Sequence, residues 1–178
     1  MNQRRAFEIA FVGLKPGEHT FQYEVGEEFF APYGELHFTH PQARVTLKLD
    51  KHNGFMLLHF DVGGKADVVC DRCGNTVTVD LWDEFKMVVK LVDNPEEMNE
   101  REEDPDVHYL SRTESHLYVG DWIYEFVTLS VPLQYVCPND GVGPQCNQEV
   151  LEKRAPDECG CLMRHKAIWK DLDQFKLN

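Results

Sequence analysis

The sequence predicts an α+β, mainly β fold: a curved antiparallel sheet or partial barrel with a covering helix and a short C-terminal helix. Three observations lead there. Apolar and polar residues alternate in a series of segments up to about residue 92. Short turn signals, among them Asn53-Gly54, separate those segments. A helical pattern then begins near Asp121 and stops at Pro132.

Taken in order, residues 7–14 begin with alternation that puts Phe7, Ile9 and Phe11 on one face of a strand. Val12 and Leu14 break the phase near Gly13, where the strand is expected to bend. After the turn Lys15-Pro16-Gly17, residues 19–25 place Phe21, Tyr23 and Val25 on one face. Residues 26–42 read as irregular, with Gly26, Pro32, Gly34 and Pro41. Further strands are expected at 43–49, 55–62, 65–70, 76–81 and 85–92, all antiparallel.

Residues 93–106 carry one arginine against eight acidic residues and read as a solvated loop. Residues 116–119 suggest a short edge strand. In residues 121–131, Trp122, Phe126 and Leu129 share a helix face, with Asp121 as the expected N-cap. Residues 148–154 read as a helical turn or two. Residues 164–175 read as a terminal helix with Ile168, Leu172 and Phe175 on one side. The expected organisation is a mainly β domain at 1–120 and a helical, cysteine-containing extension at 121–178, packed together as one structural unit.

Lys and Arg total 18 against 31 Asp and Glu, a net charge of −13. That balance repels phosphate backbones and anionic lipid and suits a basic partner. No run approaches the roughly 20 apolar residues that span a bilayer. Glu8 interrupts the short apolar run after Arg4 and Arg5, so no export signal is read there. A cytoplasmic location and reduced cysteines follow as expectations.

The chemistry-bearing residues are the six cysteines. Cys70-Asp71-Arg72-Cys73-Gly74 has metal-knuckle spacing: two thiolates converge on one ion, and the glycine lets the backbone fold beneath it. The second half of a zinc site could come from Cys137 and Cys146, or from Cys159 and Cys161. The latter four could also form a site of their own. The bland reading is reduced cysteines packed as small hydrophobes. A redox pair would need the N-terminus of a helix in a βαβ setting, whereas Cys70 and Cys73 join two strands. His37, His40, His52, His59, His108 and His116 fall in surface or ordinary core contexts. No H-E-x-x-H, G-x-S-x-G or G-x-x-x-x-G-K-[ST] pattern occurs, so no catalytic residue is assigned.

Residues 63–92, with a strand entering Cys70-Asp71-Arg72-Cys73 and then Val77, Val79, Leu81 and Phe85, resemble the signature of the YceD-like family. So does Asp121-Trp122-Ile123-Tyr124 leading to Leu129-Ser130-Val131-Pro132-Leu133, an acidic-start helix ending in L-x-x-P-L. Cys137 and Cys146 fall where members carry histidine or cysteine and then a cysteine. The tail resembles W-x-x-L-x-x-L, with Trp169, Leu172 and then Phe175 in place of the last leucine. Asp140 and Pro144 stand at or near places where other members have a richer cysteine cluster.

The resemblance implies a bacterial or organellar protein needed for accumulation of large-subunit ribosomal RNA, with no established catalytic mechanism. It implies a non-enzymatic role in 23S ribosomal RNA accumulation and large-subunit biogenesis. The partner would be a basic ribosomal protein or the pre-ribosomal large subunit; direct RNA contact stays open. It also pairs the knuckle with the following loop, so that any zinc would be held by Cys70, Cys73, Cys137 and Cys146. The alternatives are a zinc-stabilised interaction module unrelated to ribosomes and a small thiol-redox enzyme using Cys70 and Cys73.

Overall fold

The structure, a computed structural model, describes residues 3–137, 146, 147, 149 and 150. It divides into two compact units. The first comprises the described residues up to 69 together with 76–135; the second comprises 70–75 and the described residues from 136 onward.

The first unit is built on a five-stranded sheet in the order β2-β3-β4-β5-β6. In chain order its elements are β1 (Glu8–Ile9), β2 (Gly17–Val25), the single turn α1 (Glu27–Phe30), β3 (Thr39–Lys51) and β4 (Phe55–Val69). They continue with β5 (Thr76–Val92), α2 (Pro95–Arg101), β6 (Val107–Ser111), β7 (Leu117–Tyr118) and α3 (Gly120–Leu129). The mainly β class stands. The segments expected at 55–62 and 65–70 are one continuous strand, as are those at 76–81 and 85–92. The alternation runs on in phase through Gly63-Gly64 and through Trp82-Asp83, which is why they do not break.

Burial follows that alternation. Ala43, Val45, Leu47 and Leu49 of β3 face inward with Met56, Leu58, Phe60, Val62, Ala66 and Val68 of β4. Val79, Leu81, Met87 and Val89 of β5 complete the row. Ile123, Phe126 and Val127 of α3 are buried in the same core, and the Phe126 ring lies 4.9 Å from that of Phe60. An aromatic group from the irregular stretch joins them: Phe29 packs on Phe7 at 4.8 Å, and Tyr33 stacks on Tyr124 at 3.9 Å.

Gly64 shows a close backbone approach. It has φ +156, and a Cβ there would collide with the Gln42 carbonyl oxygen. The β3–β4 register is irregular between Thr39 and Gln42 for the same reason.

Several expectations are corrected. The sheet is mixed and open, because β6 pairs parallel to β5 with Val88 opposite Val107. The connection at 93–106 is therefore a crossover, which parallel pairing requires, and it contains α2 where a loop was expected. Asn99 pins that connection: its side chain exchanges two hydrogen bonds with the Tyr109 backbone, at 2.9 and 2.7 Å. Residues 7–14 are not one strand but a two-residue strand between 3-10 turns. The Lys51 ammonium donates to the carbonyls of Phe11 and Leu14, each at 2.8 Å, and the Phe11 carbonyl also accepts the Leu14 N–H that closes the second turn. The edge strand near 116–119 exists as β7, and its partner is β1.

In α3, Val119 holds the N-cap position, and Asp121 lies in the first turn, accepting a hydrogen bond from the Tyr33 hydroxyl at 2.9 Å. Trp122 is only half-buried and Leu129 is 59% exposed, so the buried face is set by Ile123, Phe126 and Val127. The helix expected at 164–175, the pair Cys159 and Cys161, and most of 148–154 lie outside the described residues.

Candidate metal centre

The second unit carries the cysteine cluster. Residues 70–75 form a tight turn: the Cys70 N–H donates to the Asn75 carbonyl at 2.8 Å, and the Gly74 N–H donates to the Cys70 carbonyl at 2.9 Å. Gly74 has φ +74, a conformation glycine takes at little cost. This fold of the backbone turns the Cys70 and Cys73 side chains to one side.

Cys137 meets them there. The sulfurs of Cys70, Cys73 and Cys137 all lie within 4.8 Å of one another, and Cys73 Sγ is 3.6 Å from Cys137 Sγ. Tetrahedral zinc with Zn–S bonds of about 2.3 Å has sulfurs about 3.8 Å apart along each edge. The three thiols therefore fit one ion. Cys146 is buried too, and its thiol is a hydrogen-bond partner of Cys137, without joining the tighter trio. All four are free thiols.

Backbone donors tune these sulfurs. Burial raises the Cys70 thiol, but N–H groups of Cys73, Cys137 and Arg72 outweigh it and bring its pKa down to about 6. The Cys137 N–H lies 3.3 Å from Cys70 Sγ. Cys73 is also held below its ordinary value, first by the backbone N–H of Asn147 and then by that of Asn75. Cys137 is pushed up to about 12 by burial, then by its contacts with Cys70, Cys73 and Cys146. Two cysteines whose thiolate forms are favoured, beside one reluctant thiol, make a site that a divalent cation could complete by displacing protons. The donors from Asn75 and Asn147 were invisible in the sequence, because any residue supplies a backbone N–H.

Among the histidines, His59 stands beside two carboxylates. Its Nε2 lies 2.9 Å from Asp61 and 3.6 Å from Glu84, within an ion network that Lys48 completes at 2.9 Å from Asp61. The lysine supplies Asp61 with the positive charge a metal would bring.

The family described as "Large ribosomal RNA subunit accumulation protein YceD" matches residues 58–176, more than half of the chain. The chain belongs to the YceD family. No curated protein and no solved structure matches it. The YceD match takes in β4 from Leu58 onward, the Cys70–Gly74 turn, β5 and α3, so the knuckle lies inside the family region. The family description links its members to large-subunit ribosomal RNA and names no reaction. Among the described residues, no helix is long and apolar enough to cross a membrane.

Proposed function

We propose that this chain is a non-enzymatic factor of the bacterial cytoplasm that supports 23S ribosomal RNA accumulation and large-subunit biogenesis through protein contacts. The observation that carries this is membership of the YceD family over residues 58–176. The net charge of −13 supports a basic ribosomal protein as the partner and disfavours a grip on the RNA backbone. Zinc is held by Cys70, Cys73 and Cys137 with Cys146 as fourth ligand, and its chemistry is that of a structural cross-link between the 70–75 turn and the segment that follows residue 136.

Sedimentation of ribosomes from a deletion strain tests this reading. It predicts a deficit of large subunits and of 23S RNA, restored by the wild-type chain. A normal profile would overturn it and leave a zinc-stabilised interaction module acting outside ribosomes. Co-purification with and without nuclease then separates protein contact, which survives digestion, from RNA contact, which does not.

A further inference from the structure

The face of the sheet opposite the core carries an unusual row. Glu24, Arg44, Gly63 and Trp82 stand opposite one another in register across β2, β3, β4 and β5. Trp82 is 78% exposed, on a surface where a tryptophan gains nothing for the fold. Beside it Gly63 leaves bare backbone. The row floors a concavity of about 810 Å³, with Asp61, Thr46 and Gly64 also lining it.

Gly63 has no structural need to be glycine. Unlike Gly64, it does not have positive φ, and a Cβ built on it meets nothing within 4 Å. A β-branched residue would suit a central strand better. A glycine kept bare in a strand next to an exposed tryptophan marks a place where another group comes close to the backbone. Arg44 and Trp82 flank it on the adjacent strands, about 10 Å apart at ordinary strand spacing.

The surrounding charge selects the guest. Asp80 and Glu84 sit two residues to either side of Trp82 on the same face, and Glu24 and Asp61 line the concavity. The cations beside the row are paired, Arg44 with Glu24 at 2.8 Å and Lys65 with Asp80 at 3.7 Å; further along the face Lys48 pairs with Asp61 at 2.9 Å, and Lys86 stands four residues from Trp82. Those pairs engage only Oε1 of Glu24 and Oδ1 of Asp80, and His59 approaches only Oε2 of Glu84. The slot thus has acceptor oxygens to offer, and the cations beside it are paired. A phosphate meets the carboxylates of Glu24, Asp61, Asp80 and Glu84 around the slot, which repel it. A guanidinium finds an aromatic face and carboxylate oxygens together.

We propose that the slot over Gly63, walled by Trp82 and rimmed by Glu24, Asp61, Asp80 and Glu84, docks an arginine side chain of a basic protein segment. That this segment belongs to a ribosomal protein rests on the function proposed above; the slot itself does not.

The test uses the full chain and a synthetic peptide of Arg-Gly repeats. Controls are the same peptide with citrulline for arginine and a single-stranded RNA oligonucleotide. The Trp82 indole N–H resonance, identified by its loss in Trp82→Ala, should shift with the arginine peptide and with neither control. Trp82→Ala should weaken the peptide by about tenfold or more. Gly63→Val, which keeps the tryptophan and fills the floor, should weaken it comparably while melting at or above wild type. No binding by wild type, binding by either variant as tight as wild type, an equal response to citrulline, or an indole shift with the RNA instead would each overturn the proposal. The ribosomal reading fails separately. A normal deletion profile alongside peptide binding removes that reading alone, whereas failed peptide binding alongside an abnormal profile removes the slot alone.

Discussion

Phe85 of β5 and Phe126 of α3 lie face to face, with ring centroids 4.3 Å apart and planes within 6° of parallel. The pair joins the helix to the sheet, and Phe60 closes on the same Phe126 ring edge-on. Three aromatic residues far apart in sequence thus share one contact, and α3 owes its position to it.

Phe126→Ala should therefore lower stability by about 3 to 5 kcal/mol, from lost burial plus the cavity left between helix and sheet. Urea unfolding followed by circular dichroism measures it. A loss under about 1 kcal/mol, the range of ordinary surface changes, would show that the helix does not depend on this ring.

Gly64→Ala and Gly63→Ala should behave oppositely. At Gly64 the methyl meets the Gln42 backbone and the φ of +156 is strained for alanine. A loss of at least about 1 to 3 kcal/mol is expected. At Gly63 the methyl meets open space, so the thermal midpoint should hold or rise. Equal melting of the two variants would mean that the β3–β4 approach at Gln42 is not as described.

Protein purified without chelator should contain about one zinc per chain by elemental analysis. Cys73→Ser or Cys137→Ser should abolish retention, since their sulfurs lie 3.6 Å apart at the heart of the cluster. Cys146→Ser should lower retention as well. Full occupancy in that variant would assign the fourth position to another donor.

Acid should weaken the fold partly through His108. Burial against α3 holds its pKa below the ordinary 6.5, and Glu114 offsets that only in part; its ring stands edge-on to Trp122 at 5.3 Å. As pH falls through 6.5 the unfolded chain takes up the proton first, so stability is lost from there down to the folded-state pKa. His108→Gln should consequently show a smaller drop in melting temperature between neutral pH and pH 5 than wild type. An identical drop would place the acid sensitivity elsewhere.

The acidic crossover offers a second electrostatic surface. Glu96, Glu97, Glu100 and Glu103 are exposed, whereas Glu102 accepts a hydrogen bond from Tyr109 at 2.7 Å and should be left intact. Changing the exposed four to Ser should slow association with a basic ribosomal protein at low salt and matter less at physiological ionic strength, where screening acts within about 8 to 10 Å. Stopped-flow mixing at two salt concentrations measures this. A salt-independent effect would argue against long-range steering.

The strands of this protein are legible because period-two alternation shows in sequence which side chains go inward: within the strand expected at 43–49, alternation puts Val45, Leu47 and Leu49 on one face, and they are buried there. The knuckle was legible because Cys70 and Cys73 are close in the chain, and spacing alone sets what a tight turn can bring together. What tertiary structure decided is whatever depends on distant partners. Residues 7–14 alternate like a strand, yet only Glu8 and Ile9 pair as one, and the distant Lys51 holds the carbonyls of Phe11 and Leu14. Val107–Ser111 carries no turn signal to announce that it runs parallel to β5 after a crossover. Cys137 reaches the knuckle from 64 residues beyond Cys73. Local periodicity reports a residue's face, and only the closed chain sets which remote atoms share that face, because such contacts depend on how intervening loops return the backbone.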